Sequence, residues 1–163
     1  MASTGSGLTR RAALAGLVGT PLAALAPVAR AEDYAGPAQV LDAIDVLEAE
    51  VSQRLHALSE ALASSRPFVT SVLRDQERHR ESRARIRKRL GLPEAAAPHA
   101  GARDLLSLSV LRTAQEALVH AHAEGLSALG DALAVDTLAR HMVDLSRHLT
   151  VIDLWIEAEE SRV

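Results

Sequence analysis

The chain contains seven histidines and 21 acidic residues but no cysteine, so its candidate metal ligands are imidazoles and carboxylates. Along four stretches with helical periodicity, a few polar side chains fall on faces that are otherwise apolar. These residues, which we call the polar layer, are Glu48, Gln76, His79, Arg83, Gln115 and His122. Imidazoles beside a carboxylate are ligands that suit zinc and copper, whereas an arginine beside a glutamate forms a buried ion pair. Metal binding and internal charge pairing therefore compete as explanations of the polar layer.

The metal hypothesis draws on histidines that lie on the inner faces or beside them. Its candidate ligands are Glu48, His79, His122, His141 and His148. A pair of hard cations needs about four carboxylates to balance and bridge it, and Glu48 is the one acid placed inward by helical phase. A single zinc or copper site is therefore the metal site that these side chains favour.

Acidic residues and histidines also recur four positions apart, as Asp75/His79, Glu116/His120 and Asp144/His148. Such pairs form ordinary interactions on helix surfaces. By helical phase Glu116 and His120 lie opposite the apolar stripe of their helix, where we expect them to be solvated. Asp144 also lies well off the inner face, so the spacing alone adds little to the metal hypothesis.

Internal charge pairing is the preferred explanation of the polar layer. Burying an unpaired Arg83 costs several kcal/mol, and Glu48 is the inward acid that can compensate its charge. A Glu48–Arg83 pair bridged by Gln76, His79 or Gln115 would fix the register of the helices without any ligand.

The sequence around the polar layer predicts four helices and no sheet. Alanine and leucine are abundant, and the chain has one Trp, one Phe and one Tyr, a composition that favours helix over strand. The expected helices run from Pro37 to about Ser64, from Pro67 to Leu90, from about Ala102 to Leu129 and from the cap Asp131 to about Glu160. Gly91 and Gly130 mark the turns that follow the second and third helices.

Helices of this length bury their apolar stripes only as a bundle, so the fold class is all-α, an antiparallel four-helix bundle. Residues 91–101 form the middle connection. Fully extended, they would reach about 36 Å, which is close to the length of the bundle. A crossover would require this connection to be almost fully extended, whereas a local connection would not. Up-down-up-down connectivity is therefore preferred to a crossover. Contact between Phe68 and Trp155 would indicate the crossover, and their separation to opposite ends would indicate the simple bundle.

Beyond its first 31 residues, the chain resembles the ferritin-like proteins, whose bundle cores carry a Glu on two helices and Glu-x-x-His on the other two. The resemblance rests on the long helices, the inward Glu48 and the histidines. It implies a crossover connection and an iron or manganese centre with oxidase or storage chemistry. No Glu-x-x-His occurs in this sequence, so the family is an alternative to the preferred interpretation.

Residues 1–31 are typical of a twin-arginine export signal. Arg10 and Arg11 precede a weakly apolar run from Ala12 to Val28, and Ala29-Arg30-Ala31 fits a cleavage site. A transmembrane helix is the weaker alternative, since glycine and proline interrupt a run of 17 residues. Cleavage after Ala31 would leave residues 32–163 as the bundle domain, periplasmic or extracellular and without a membrane anchor.

Charge restricts the partners that the bundle domain is expected to bind. After cleavage it would carry 15 basic and 21 acidic residues, a formal charge of −6, which argues against nucleic acid. Residues 74–89 hold eight basic residues against three acidic ones. This basic stretch is expected to lie beside the first helix, whose outer face carries Asp42, Asp45 and Glu50.

The sequence therefore predicts an exported, non-enzymatic helical bundle with a binding or structural role and no cofactor. A cysteine nucleophile, a haem-attachment motif, a phosphate loop and a Gly-x-Ser-x-Gly motif are all absent from it. The first alternative is a ferritin-like metal-binding protein with a storage or oxidase role. If the chain holds a cofactor, a transition metal is expected, with zinc, copper and iron as the candidates. The second is a partner-binding module that uses the basic second helix. Each of these roles is compatible with a homo-oligomer.

Overall fold

The computed structural model describes residues 36–96 and 107–161, which form a four-helix bundle. The helices are α1 (Pro37–Ala61), α2 (Arg66–Arg89), α3 (Leu108–Ala128) and α4 (Ala132–Glu160). A 3-10 turn at Ala63–Ser65 joins α1 to α2. The described ranges contain no strand, so the all-α prediction is confirmed.

Short sequence signals set the ends of these helices. Gly91 adopts a left-handed φ of 66°, which lets the amides of Gly91 and Leu92 bond back to carbonyls of the last turn of α2 at 3.3 and 2.9 Å. This pair of bonds is a Schellman cap, and it ends α2. In the turn after α3, the carboxylate of Asp131 accepts a hydrogen bond from the Ala134 amide at 2.9 Å. Asp131 thus caps α4, as the sequence predicted.

Aliphatic side chains from the helices fill the interior. Ile44, Leu118, Leu138 and Leu145 are fully buried. Burial of a side chain of this size stabilises the fold by about 1.5–3 kcal/mol. The core is therefore aliphatic, and the polar layer is a break in it.

Contacts between helix ends give the direction of the chain. Phe68, at the start of α2, packs against Trp155, near the end of α4, with ring centroids 4.8 Å apart. At the other end of α2, Arg89 Nε donates a hydrogen bond to Asp131 Oδ2 at 2.9 Å, so α2 and α4 are antiparallel. A tight turn makes α3 and α4 an antiparallel hairpin. It follows that α2 and α3 point in the same direction, while α1 packs against both α2 and α3.

The preferred up-down-up-down connectivity is therefore not confirmed, because these contacts require the chain to cross from one end of the bundle to the other between α2 and α3. Contact between Phe68 and Trp155 was the expected mark of a crossover. The error lay in the start of α3, which begins at Leu108 rather than at Ala102. The connection comprises residues 90–107 and can extend to about 60 Å, whereas the 24 residues of α2 span about 36 Å.

Gly125 lies where α3 approaches α1 and α4 closely. A β-carbon at this position would lie 2.7 Å from Val40 Cγ1 and 3.3 Å from Leu138 Cδ1. We expect Gly125→Ala to lower the free energy of unfolding by about 1–2 kcal/mol, because overpacking against the buried Val40 exceeds the gain in helix propensity. Urea denaturation measures this change, with Gly130→Ala as a control because no atom lies within 4 Å of a β-carbon there. An unchanged midpoint for Gly125→Ala would contradict the close packing.

The export-signal prediction concerns residues 1–31, which lie outside the described residues. The predicted bundle domain starts at residue 32, and α1 starts at Pro37. Among the helices of the described ranges, none combines the length and apolar character needed to cross a membrane.

Candidate functional site

Arg83 lies at the centre of the polar layer with 1% of its surface exposed. Its Nε donates to Asp45 Oδ1 at 2.8 Å, and its Nη1 donates to Glu48 Oε1 at 3.3 Å. Nη2 donates to the other carboxylate oxygen of Glu48. The guanidinium thus joins two acids of α1, and the predicted Glu48–Arg83 pair is confirmed.

Asp45 is buried, although helical phase had assigned it to the solvated face of α1. Its Oδ2 accepts from Arg87 Nη2 at 2.9 Å, and the same nitrogen donates to Asp42 at 2.8 Å. Arg83 and Arg87 lie one turn apart on α2, so both oxygens of Asp45 face a guanidinium. Two arginines in this position offset the cost of burying the carboxylate. Asp45 and Glu48 are three residues apart on α1, and Arg83 and Arg87 are four apart on α2, so each pair shares one helix face. This spacing was the sequence signal for the arrangement.

The Arg83–Glu48 pair is ionised in the folded protein. Burial raises the pKa of Glu48, but His79 and the charge of Arg83 lower it by more, so this pKa lies below its ordinary value. Burial lowers the pKa of Arg83, and the carboxylates of Glu48 and Asp45 raise it by more. The polar layer therefore contains an internal cation that its own acids neutralise.

Three imidazoles from three helices meet beside this ion pair, and we call His79, His122 and His141 the histidine cluster. The rings of His79 and His141 are stacked, with centroids 4.0 Å apart and planes inclined by 23°. The ring of His122 meets that of His141 edge to face at 5.7 Å. All three side chains are at least nine-tenths buried.

Each ring of the histidine cluster has one nitrogen in contact with a neighbouring polar group. His79 Nε2 lies 3.3 Å from a carboxylate oxygen of Asp144, and His122 Nδ1 donates to the Leu118 carbonyl at 2.9 Å. His141 Nε2 lies 2.9 Å from Ser82 Oγ, and this hydroxyl also donates to a carbonyl of its own helix. The three remaining nitrogens are buried without a hydrogen-bond partner: His79 Nδ1, His122 Nε2 and His141 Nδ1.

Burial keeps two of these rings neutral. It lowers the pKa of His122 to about 4, and the nearby positive charge of Arg83 adds to the effect. It lowers the pKa of His141 to about 2, with further contributions from His79 and His122. At neutral pH both rings therefore hold a free lone pair on one nitrogen.

His148 lies apart from the histidine cluster. Its Nε2 lies 3.0 Å from Asp75 Oδ2, and its ring meets the edge of Phe68 at 6.2 Å. Burial lowers its pKa, while the hydrogen bond to Asp75 acts in the opposite direction. His148 thus belongs to the end of the bundle where α2 begins and does not join the other predicted ligands.

The two glutamines of the polar layer are buried, as helical phase predicted. Ser52 Oγ donates to Gln76 Oε1 at 2.7 Å, which adds a second link between α1 and α2. Gln115 Nε2 donates to the Leu145 carbonyl at 3.1 Å and joins α3 to α4. Neither glutamine bridges Glu48 to Arg83, which contact one another directly.

The basic stretch of α2 is divided between two directions. Arg83 and Arg87 point toward α1, and Arg89 pairs with Asp131. Arg85 keeps 71% of its side chain exposed. The expected pairing of the basic helix with the acidic α1 is confirmed for Arg83 and Arg87, whereas the other basic residues of the stretch are exposed.

Two openings lie over α2. A cleft of about 800 Å³ extends from Arg80 past Lys88 to Glu94, which follows the end of the helix. A cavity of about 400 Å³ lies between α1 and α2 and is lined in part by Glu48, Ser52 and Gln76. Arg83 lines both openings, and the smaller one also reaches Glu48 and Gln76 of the polar layer.

The five predicted ligands are not gathered in one ready-made coordination geometry. In residues 36–96 and 107–161 no group of three or more His, Asp or Glu side chains is arranged to hold a metal ion. The stacking of His79 on His141 directs their nitrogens to different points, and Glu48 is engaged by Arg83. The metal hypothesis stays a prediction.

Comparison with known proteins gives no relative for this chain: no family model, no curated protein and no solved structure matches it. Its function has to be inferred from the contacts within its own bundle.

Proposed function

We propose that this chain is an exported, non-enzymatic four-helix bundle protein with a binding or structural role. The observation that supports this function best is the buried Arg83, whose guanidinium contacts Asp45 and Glu48. The guanidinium neutralises the charge of the two acids, as a metal ion does in a carboxylate-bridged centre. The acids are then structural and are not free to bind a substrate.

The ion pair also gives the polar layer a structural use. Buried polar contacts fix the register of packed helices, because a shifted helix would leave charges unpaired. Asp45 and Glu48 meet Arg83 and Arg87 in one alignment of α1 against α2. Export in a folded form would suit a bundle that is locked in this way.

A ferritin-like metalloprotein is the second candidate. The crossover between α2 and α3 and the interior histidines favour it, since that family has the same kind of connection. The number of available acids argues against it. A di-metal centre needs about four carboxylates, and the buried carboxylates of Asp45 and Glu48 are neutralised by arginine. Partner binding through the basic helix has less support, because Arg83 and Arg87 point inward.

An iron-oxidation assay tests the proposed function. Metal-free protein is mixed with Fe²⁺ in aerated buffer, and ferric absorbance and oxygen consumption are followed. We expect rates equal to those of buffer and of the Glu48→Gln variant. The control is Glu60→Gln, which changes an exposed acid on the same helix. Two iron ions oxidised per chain, with loss of that activity in Glu48→Gln alone, would overturn the proposal in favour of the ferritin-like candidate.

A further inference from the structure

The histidine cluster has three buried nitrogens whose hydrogen-bonding capacity is unused. They are His79 Nδ1, His122 Nε2 and His141 Nδ1, one on each ring. Leaving a buried polar atom without a partner is unfavourable, and buried polar groups are paired in the large majority of cases. His79 Nδ1 faces Glu48 Oε1 at 3.6 Å, and the rings contact one another, so one common partner would satisfy all three nitrogens.

The opposite nitrogen of each ring is held in the way that metal-binding histidines are held. A ligating histidine usually donates its other N–H to a carboxylate, a carbonyl or a similar acceptor, which fixes the tautomer and the orientation of the ring. Here Asp144, the Leu118 carbonyl and Ser82 contact those nitrogens at 3.3, 2.9 and 2.9 Å. The rings of His122 and His141 are thus placed to offer a free lone pair toward the interior, and His79 presents Nδ1 to the same layer beside Glu48.

The chemistry of the donors selects the ion. Neutral imidazoles suit zinc and copper, whereas calcium, magnesium and manganese prefer oxygen ligands. The buried charges of Arg83 and Arg87 are already balanced by Asp45 and Glu48. The layer therefore lacks the acids for a pair of hard cations, and a single ion would be held by the neutral imidazoles.

We propose that His79, His122 and His141 bind a single zinc or copper ion, with Asp144 as a positioning residue for His79. This inference names the ligand of the proposed binding role and rests on that role. Binding requires the ring of His141 to turn out of its stacked contact with His79, so that the three free nitrogens meet at one point. The cavity between α1 and α2 is lined in part by Glu48, whose Oε1 lies 3.6 Å from His79 Nδ1.

The first test is a titration of chelator-treated protein with zinc sulfate and, separately, with copper(II) sulfate. We expect one ion per chain, with affinity measured by competition against a chromophoric chelator. His122→Gln and His141→Gln are expected to weaken binding by about 100-fold and Asp144→Asn by about 10-fold. His120→Gln is the matched control, because His120 lies on α3 with its side chain 49% exposed. Absence of stoichiometric binding, or binding that survives both cluster variants, would overturn the inference.

The second test uses the unmodified protein and so does not depend on the folding of any variant. Long-range ¹H–¹⁵N spectra of the imidazoles are recorded before and after addition of zinc. We expect the largest shifts at His79 Nδ1, His122 Nε2 and His141 Nδ1, with the His120 nitrogens unchanged. Shifts at His120 or His56 alone would assign the ion to the surface and overturn the proposed site. This outcome would leave the iron-oxidation result unaffected, whereas iron turnover would overturn the proposed function whatever the zinc spectra show.

Discussion

The Arg83→Met variant is expected to unfold with a free energy about 3–5 kcal/mol lower than that of the wild type. The substitution removes a guanidinium that is 1% exposed and leaves Glu48 and one oxygen of Asp45 buried without their donor. The cost is large because the remaining carboxylate is desolvated and has no opposite charge beside it. Since a domain of this size is stable by about 5–15 kcal/mol in total, one side chain accounts for a large share.

Urea denaturation followed by far-ultraviolet circular dichroism measures this loss. Arg85→Met is the matched control, because its side chain is 71% exposed on the same helix and its replacement should change stability by less than about 0.5 kcal/mol. The double variant Arg83→Met/Glu48→Met should recover much of the stability, since an apolar pair can replace a buried ion pair. A loss below about 1 kcal/mol in the single variant would mean that water reaches the ion pair.

Acidification is expected to destabilise the bundle well before its carboxylates become protonated. The pKa of His122 falls from 6.5 in the unfolded chain to about 4 in the folded protein, and that of His141 falls to about 2, mainly because both rings are buried. At pH values between the unfolded and the folded pKa of each ring, the unfolded chain binds a proton that the folded protein does not. The free energy of unfolding therefore decreases as pH falls below 6.5. His122 alone corresponds to a loss on the order of 3 kcal/mol by pH 4.

Thermal denaturation at a series of pH values checks this expectation. The informative window lies between the ordinary histidine pKa of 6.5 and the ordinary glutamate pKa of 4.5, because Glu48 stays ionised there. His122→Gln should flatten the profile in that window, and His120→Gln should leave it unchanged. A melting temperature that is constant across the window would contradict the burial of neutral imidazoles. Below it, protonation of Glu48 would remove the contribution of the ion pair as well.

Residue periodicity was enough to predict the helices and the buried ion pair. Helical phase placed Gln76, His79, Gln115 and His122 on inner faces, and all of them are buried. Glu48 was predicted to meet Arg83 because both fall on inner faces of neighbouring helices, and they are in contact. Such predictions succeed because they depend on one helix or on one hairpin with a short turn.

Residue periodicity could not predict which helices are neighbours in the bundle. A helical phase gives the face of a residue, but it does not say which helix lies opposite that face. His79 stacks on His141 because α2 lies beside α4, whereas in the preferred up-down-up-down order these helices would be diagonal. The burial of Asp45 was missed for a related reason, since it depends on two arginines of the adjacent helix rather than on the phase of α1.

The crossover connection divides the bundle into two helical hairpins, and the polar contacts are divided in the same way. The ion pairs of Arg83 and Arg87 lie entirely within the hairpin of α1 and α2. The contacts of His141 with His79 and Ser82 instead join that hairpin to the one formed by α3 and α4. Arg83 and Arg87 can therefore find their partners while the first hairpin assembles, but His79 meets the imidazoles of the second hairpin only when the hairpins dock. A proton taken up by the histidine cluster would accordingly oppose docking and leave each hairpin intact.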